Sequence, residues 1–318
     1  MGGMRSTFAD RLADGDQGPV VLDGGLASEL ERRGQDVSGT WWSARVLRDA
    51  PDAVRDVHLA YFAAGAEVAT SASYQATYEG YAAAGTDAAE TSRLLRRSVE
   101  IADEARRIAT EQDAAQGRPA RRRWVAASVG PYGALLADGS EYRGDYGRTV
   151  AELREFHRPR LEVLAQACRD VGDAVLAVET IPSLREVEAV VAELEGLGVP
   201  AWVSVTPDGG RLRTGEPLSE AFAVAAGLPE VVALAVNCCE PADVDAGIAA
   251  AVAAGRTPIA YPNTGEGWDA VARRWTGEPV LDTAAVARWR DEGARGLGGC
   301  CRVGPALLRT IASAARTT

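Results

Sequence analysis

The 318-residue chain contains no lysine, so all 34 of its Lys/Arg positions are arginine. That absence excludes Schiff-base catalysis, a pyridoxal-phosphate anchor and the P-loop, each of which needs an amine at a fixed place. Histidine is almost as scarce: His58 lies in DAVRDVHLAYFAAG and His157 in AELREFHRPRLEVL, both helical by pattern and both read as packing residues. A Ser-His-Asp triad or a histidine-rich metal site is therefore not expected. No apolar run reaches the roughly 20 residues that cross a bilayer, and the opening MGGMRSTFADRLADGDQG lacks the apolar stretch of a secretory signal. The expectation is a cytoplasmic protein. Its net charge is −11, and the one basic cluster, Arg121 to Arg123, has no wider basic face around it. Neither nucleic acid nor an anionic membrane is expected as a partner.

What is present is a regular alternation. Eight short apolar runs stand out: Pro19–Leu22, Glu67–Ser71, Trp124–Val129, Ala174–Val178, Ala201–Val205, Val231–Val236, Pro258–Tyr261 and Ala294–Leu297. Between and after them lie amphipathic stretches, among them Asp52–Ala64, Asp87–Thr110, Val150–Val171, Ser183–Glu195, Ser219–Gly227, Asp243–Ala254, Thr283–Glu292 and Pro305–Ala314. Eight strand–helix pairs are the count for a closed (β/α)8 TIM barrel of class α/β. No linker divides the chain, so residues 1–318 read as one domain, with loosely held ends at about 1–17 and 315–318. Long βα loops are expected near 130–145 and 262–280, where proline and glycine gather.

The polar residues collect at one end of these strands. Asp23, Gly24 and Gly25 follow the first; Thr70 and Ser71 end the second; Glu179 and Thr180 the fourth; Asn237, Cys238 and Cys239 the sixth. Asn263 follows the seventh, and Gly298, Gly299, Cys300 and Cys301 the eighth. In a barrel the C-terminal strand ends form the catalytic face, so these residues converge. The five cysteines are an odd number with no signal segment, which argues against a disulfide framework. Cys168, inside a helical pattern, reads as core. Three thiolates from the two adjacent pairs would suit Zn²⁺ with one position open. Adjacent strand residues point to opposite sides, so Cys238 and Cys239 do not both face one metal. The glycines before Cys300 and Cys301 allow an irregular turn there. One ligand from the first pair and two from the second follow.

The runs VLDGGLASELERRG, TSASYQATYEGY, AVETIPSLREVEA, AVNCC and LGGCC, taken together over Val20 to Ala314, resemble the homocysteine S-methyltransferase family, in its subgroup that uses S-methylmethionine or S-adenosylmethionine. The resemblance implies that Cys238, Cys300 and Cys301 bind zinc, leaving Cys239 a neighbour. It implies methyl transfer from a sulfonium donor to the homocysteine thiolate, giving methionine and needing no general base. Asp23 and Glu179 would bracket the homocysteine ammonium, and the amides of Gly24 and Gly25, opening the helix LASELERRG, its carboxylate. The plainer readings are a helix cap for Asp23 and a structural ion pair for Glu179. Ser71 and Asn237 are candidate hydrogen-bond partners near the metal, or equally supports for the barrel mouth. Trp42 matches a tryptophan that lines the donor pocket of the related betaine enzymes, where an aromatic face attracts an onium ion; with Trp41 it could instead cover a loop. Those enzymes carry tyrosine where this chain has Thr180, which argues against betaine as donor. A corrinoid-borne methyl would need a separate partner, and a non-catalytic zinc or redox protein is the reading from another class. Small-molecule partners only, and a monomer or small homo-oligomer, are expected.

Overall fold

The computed structural model describes residues 7–37, 42–269 and 274–316, excepting the side chains of 42, 43, 267–269, 274 and 275. Eight parallel strands form the sheet: β1 (Val20–Val21), β2 (Val68–Thr70), β3 (Trp124–Val129), β4 (Ala174–Ile181), β5 (Ala201–Val205), β6 (Val231–Asn237), β7 (Thr257–Tyr261) and β8 (Gly296–Leu297). Their order is β1-β8-β7-β6-β5-β4-β3-β2, every pairing parallel. The last seam, between β1 and β2, is bridged where the Glu67 amide donates to the Val21 carbonyl at 2.7 Å. The sheet thus curls into a nearly closed TIM barrel, each strand followed by a helix.

Strand alternation sorts the core into two shells. On β4, Val175 and Ala177 face the barrel interior with Val68, Trp124, Trp202 and Ile259, while Leu176 and Val178 face outward under the helices. The outer helices are fixed by local signals. Val150–Val171 begins with a capping box, Thr149 Oγ1 accepting from the Glu152 amide and the Glu152 carboxylate from the Thr149 amide. Pro51–Ala64 opens on proline and ends on Gly65 at φ +113°.

Of the segment over 1–17 expected to be loosely held, residues 1–6 lie outside the described residues, while 7–17 carry a packed helix. Phe8–Ala13 is a helix with its own Thr7–Asp10 capping box, and Phe8 and Leu12 are 2% and 1% exposed. Phe8 lies 5.7 Å from the Trp124 ring and 5.8 Å from Trp202, filling the barrel interior with an aromatic cluster. Arg11 is tied to Glu67 at 3.1 Å. At the other end the final helix runs to Arg316 with Ala315 buried. Two small hairpins sit in the loops, Pro207–Asp208 with Arg211–Leu212 and Gly267–Asp269 with Arg274–Thr276. Among the described residues, no helix is long and apolar enough to cross a membrane.

Candidate active site

The strand ends converge on one pocket. It is lined by Asp23, Gly24, Gly25, Thr70, Ser71, Glu179, Thr180, Asn237, Cys238, Cys300 and Cys301 from the strand ends, with Leu26 to Ser28, Tyr74, Ser128, Glu141, Tyr142, Tyr261 and Gly299. Among the described residues it contains three carboxyl groups and three thiols and no arginine or histidine.

The sulfur atoms of Cys238, Cys300 and Cys301 all lie within 4.8 Å of one another. A tetrahedral site with metal–sulfur bonds of about 2.3 Å has edges of about 3.8 Å, so the trio fits one soft cation. Cys238 and Cys300, with Cα atoms 5.6 Å apart, have their sulfurs in disulfide contact. Burial pushes the Cys301 thiol up to about 12; Glu141 adds to the shift and a hydrogen bond with Tyr142 opposes it. Without a cation this thiol therefore keeps its proton, and a bound cation reverses that balance.

Backbone strain aims these groups. β6 ends at Asn237, and Cys238 adopts φ +50°, a left-handed conformation costly for a residue with a Cβ. The turn leaves Cys238 in the pocket, while Cys239, 1% exposed, packs in the hydrophobic core. On β4 the pairing register with β5 shifts between Val178 and Ile181, and Thr180 sits at φ +63°. This bulge turns Glu179 into the pocket. Asn237 ties the two strained points together. Its Oδ1 accepts from the Thr180 amide at 2.8 Å and from Ser204 Oγ at 2.6 Å, and its Nδ2 donates to Thr180 Oγ1 at 2.8 Å. That amide nitrogen is also 4.0 Å from Cys300 Sγ. Thr180, which departs from the betaine pattern, is thus engaged with Asn237. Asn263 braces the other end: its side-chain oxygen accepts from the Cys301 amide at 3.1 Å, and its own amide donates to the Cys239 carbonyl.

The glycines act by size. A Cβ on Gly24 would stand 2.1 Å from the Val303 carbonyl oxygen, and one on Gly299 would meet the Val303 side chain at 2.4 Å. The conformational freedom expected of the Gly298–Gly299 pair is not what the turn uses, since neither has a positive φ; close approach is. Gly25 donates its amide to the Val303 carbonyl at 3.1 Å, so it is not free for an anion, contrary to expectation. The amides that helix Leu26–Arg32 leaves without an intrahelical partner are those of Leu26, Ala27 and Ser28, which line the same pocket.

Asp23 is not the helix cap, a position held by Gly25. Both its oxygens accept from Thr70, one from the amide and one from the hydroxyl, each at 2.7 Å. Burial raises its pKa to about 6 against those two bonds. Among the described residues Glu179 makes no ion pair; it accepts from the Ser128 and Tyr261 hydroxyls. Burial pushes it up to about 7, Ser128 opposing and Asp23 adding. Ser71 faces the pocket, but its hydroxyl accepts from the Ser128 amide at 3.1 Å and shares a hydrogen bond with Ser73. Trp42 opens the helix Trp42–Asp49, and its side chain lies outside the described residues, as does Trp41. His58 and His157 are fully buried, and neither lines the pocket.

Sequence reasoning did not single out Tyr74, Ser128, Glu141, Tyr142 or Tyr261. Of these, Glu141 differs most from its surroundings. It is 3% exposed, burial raises its carboxyl to about 7, and its Oε2 has no hydrogen-bond partner. The only signal for it was the Pro/Gly-containing loop in which it lies.

The family model described as homocysteine S-methyltransferase matches residues 20–315. The chain is 45% identical over 311 residues to homocysteine S-methyltransferase 4 of Zea mays, covering 94% of this chain and 90% of that one. It is 44% identical over 298 residues to the homocysteine S-methyltransferase of Escherichia coli strain K12, covering 92% and 94%. The solved metallated form of the E. coli homocysteine methyltransferase MmuM superposes with a TM-score of 0.81 at 39% identity, over 95% of this chain and 98% of that one. With a matched model over nearly its whole length and the thiol-and-carboxyl pocket at the strand ends, this chain belongs to the homocysteine S-methyltransferase family.

Proposed function

We propose that this methyltransferase is zinc-dependent and moves a methyl group from a sulfonium donor, S-methylmethionine or S-adenosylmethionine, onto homocysteine to give methionine. The observation that carries the reading is the juxtaposition of three thiols within 4.8 Å with buried carboxyl groups in a pocket whose described lining has no basic side chain. Such a pocket is completed by positive charge: a soft metal ion at the sulfurs and the ammonium and onium groups of two substrates.

Cys238, Cys300 and Cys301 would hold the zinc, with the fourth position left for substrate. When bound, zinc supplies the electrophile that keeps the homocysteine sulfur a thiolate near neutral pH, where a free thiol of pKa about 8.5 is mostly protonated. Asp23 and Glu179, held by Thr70 and Ser128, retain acceptor capacity for the homocysteine ammonium. The amides of Leu26 to Ser28 would receive its carboxylate. Asn237 fixes the turn that presents Cys238. In the transfer the sulfur lone pair forms the new S–C bond. The sulfonium C–S bond breaks with its electron pair on the departing neutral thioether. No proton moves, so orientation does the work of a general base, in keeping with a pocket free of histidine. Trp42 belongs to the donor side on the resemblance alone.

The test is turnover of zinc-loaded protein with homocysteine and, separately, each sulfonium and betaine. Methionine from a sulfonium is expected; methionine from betaine alone, or from none of them, refutes the proposal.

A further inference from the structure

We propose that Glu141 is the counter-charge for the sulfonium centre of the methyl donor. The inference rests on the sulfonium reading above and assigns a residue to it. Glu141 stands in the one-turn helix Ser140–Tyr142 in the loop after β3. The turn is clamped: a Cβ on Gly133 would fall 2.4 Å from the Glu141 amide nitrogen. Its carboxylate is therefore carried on packed backbone. The nearest arginine in sequence, Arg143, is committed elsewhere, to Asp138 at 3.2 Å and Ser140 Oγ at 2.9 Å. Glu141 Oε2 is buried without a hydrogen-bond partner among the described residues.

A buried carboxylate left this way is costly unless a cation joins it. A packing role would be served better by a side chain without charge. Position says which cation. Glu141 lines the same pocket as Tyr74, Tyr142 and the three thiols. The carboxylate therefore faces the space the methyl must cross to reach the sulfurs. An ammonium needs several acceptors at hydrogen-bond distance. A sulfonium has no N–H and needs only nearby negative charge and an aromatic face, which Glu141 and Tyr74 combine; the Tyr142 ring already carries the Arg213 guanidinium at 5.6 Å.

The experiment uses S-methylmethionine and its neutral carbon isostere, 2-amino-5-methylhexanoic acid, titrated calorimetrically into the metal-loaded protein and into E141Q and E141M. The wild type should prefer the sulfonium by roughly tenfold to a hundredfold. Both variants should bring the ratio close to one, with metal content unchanged. E141M keeps the buried volume and breaks no hydrogen bond at Oε2, so it remains informative should E141Q fold poorly. A wild type that does not distinguish the two ligands, or folded variants that keep the preference, overturns the assignment. Binding is read without turnover. A charge preference lost with Glu141 in a protein that makes no methionine would therefore refute the proposed reaction and leave this assignment standing.

Discussion

Replacing Cys238 and Cys239 one at a time separates ligand from neighbour. Cys239 is 1% exposed, lies in the hydrophobic core, and holds its thiol protonated through burial. Cys239→Ala removes one sulfur from that core, a loss comparable to a methylene and worth about 1 kcal/mol. At an unfolding entropy of roughly 2.1 cal/mol/K per residue, a chain of this length should lose about 1–2 °C in Tm. Cys238→Ala removes one of three sulfurs that lie within 4.8 Å of one another. Thiolate-rich zinc sites gain about 10–16 kcal/mol, or roughly 3–4 kcal/mol per ligand, so zinc affinity should fall by two to three orders of magnitude. The assay is competition with a chromophoric chelator, metal content read by atomic emission. Comparable zinc loss from both variants, or full zinc retention in Cys238→Ala, would refute the ligand assignment.

Three further outcomes are expected. Asn237→Ala removes three hydrogen bonds and strands the Thr180 amide; at about 1 kcal/mol each plus the orphaned donor, the loss is about 3–5 kcal/mol in chemical denaturation, and a loss under about 1 kcal/mol would contradict it. Glu179 keeps its proton to about pH 7 when folded, against an ordinary 4.5. The folded chain then holds a proton the unfolded chain has released, so stability falls as pH rises through that window. Glu179→Gln should gain on wild type by up to roughly 3 kcal/mol across it, and a parallel pair of stability curves would refute this. With Glu179 proposed to receive the homocysteine ammonium as a carboxylate, the KM for homocysteine should rise as pH falls below about 7 in wild type and lose that dependence in the variant. Since Cys238 and Cys300 can pair with each other, mild oxidation should release the metal and a thiol reductant restore its binding, measured as metal retained on desalting.

The eight strands were legible because each is a short apolar run between helical periods. Val150–Val171 was legible to its ends because a capping box opens it and glycine follows it. The helix Phe8–Ala13 was not: FADRLA offers one turn of apolar residues inside a polar end, and only the aromatic cluster of Trp124 and Trp202 inside the barrel makes it pack. The same division holds in the pocket. Asp23, Glu179 and the cysteines follow strand ends, so counting strands locates them. Tyr74, Glu141 and Tyr142 come from loops, whose path no periodicity encodes. The left-handed turns at Thr180 and Cys238 occur at residues that ordinarily avoid them, and the bonds that hold them come from Asn237, distant in sequence from Thr180.

The three carboxyl groups differ in how much of their hydrogen-bonding capacity the protein itself uses. Asp23 takes two bonds from Thr70, Glu179 one from Ser128 and one from Tyr261, and Glu141 Oε2 none. Burial raises all three, so much of the pocket's negative charge is masked by protons. With no lysine in the chain and, among the described residues, no arginine or histidine lining the pocket, the described lining has no cation to exchange for those protons. Incoming groups can do so. In the proposed reaction a metal ion would draw the protons from the thiols, the ammonium would ionise the carboxyl groups at the ends of β1 and β4, and a sulfonium would ionise Glu141. After methyl transfer the thioether product would be neutral at sulfur, and the attraction of Glu141 for it would be lost. The carboxylate proposed to draw in the donor would therefore also favour release of what the donor becomes.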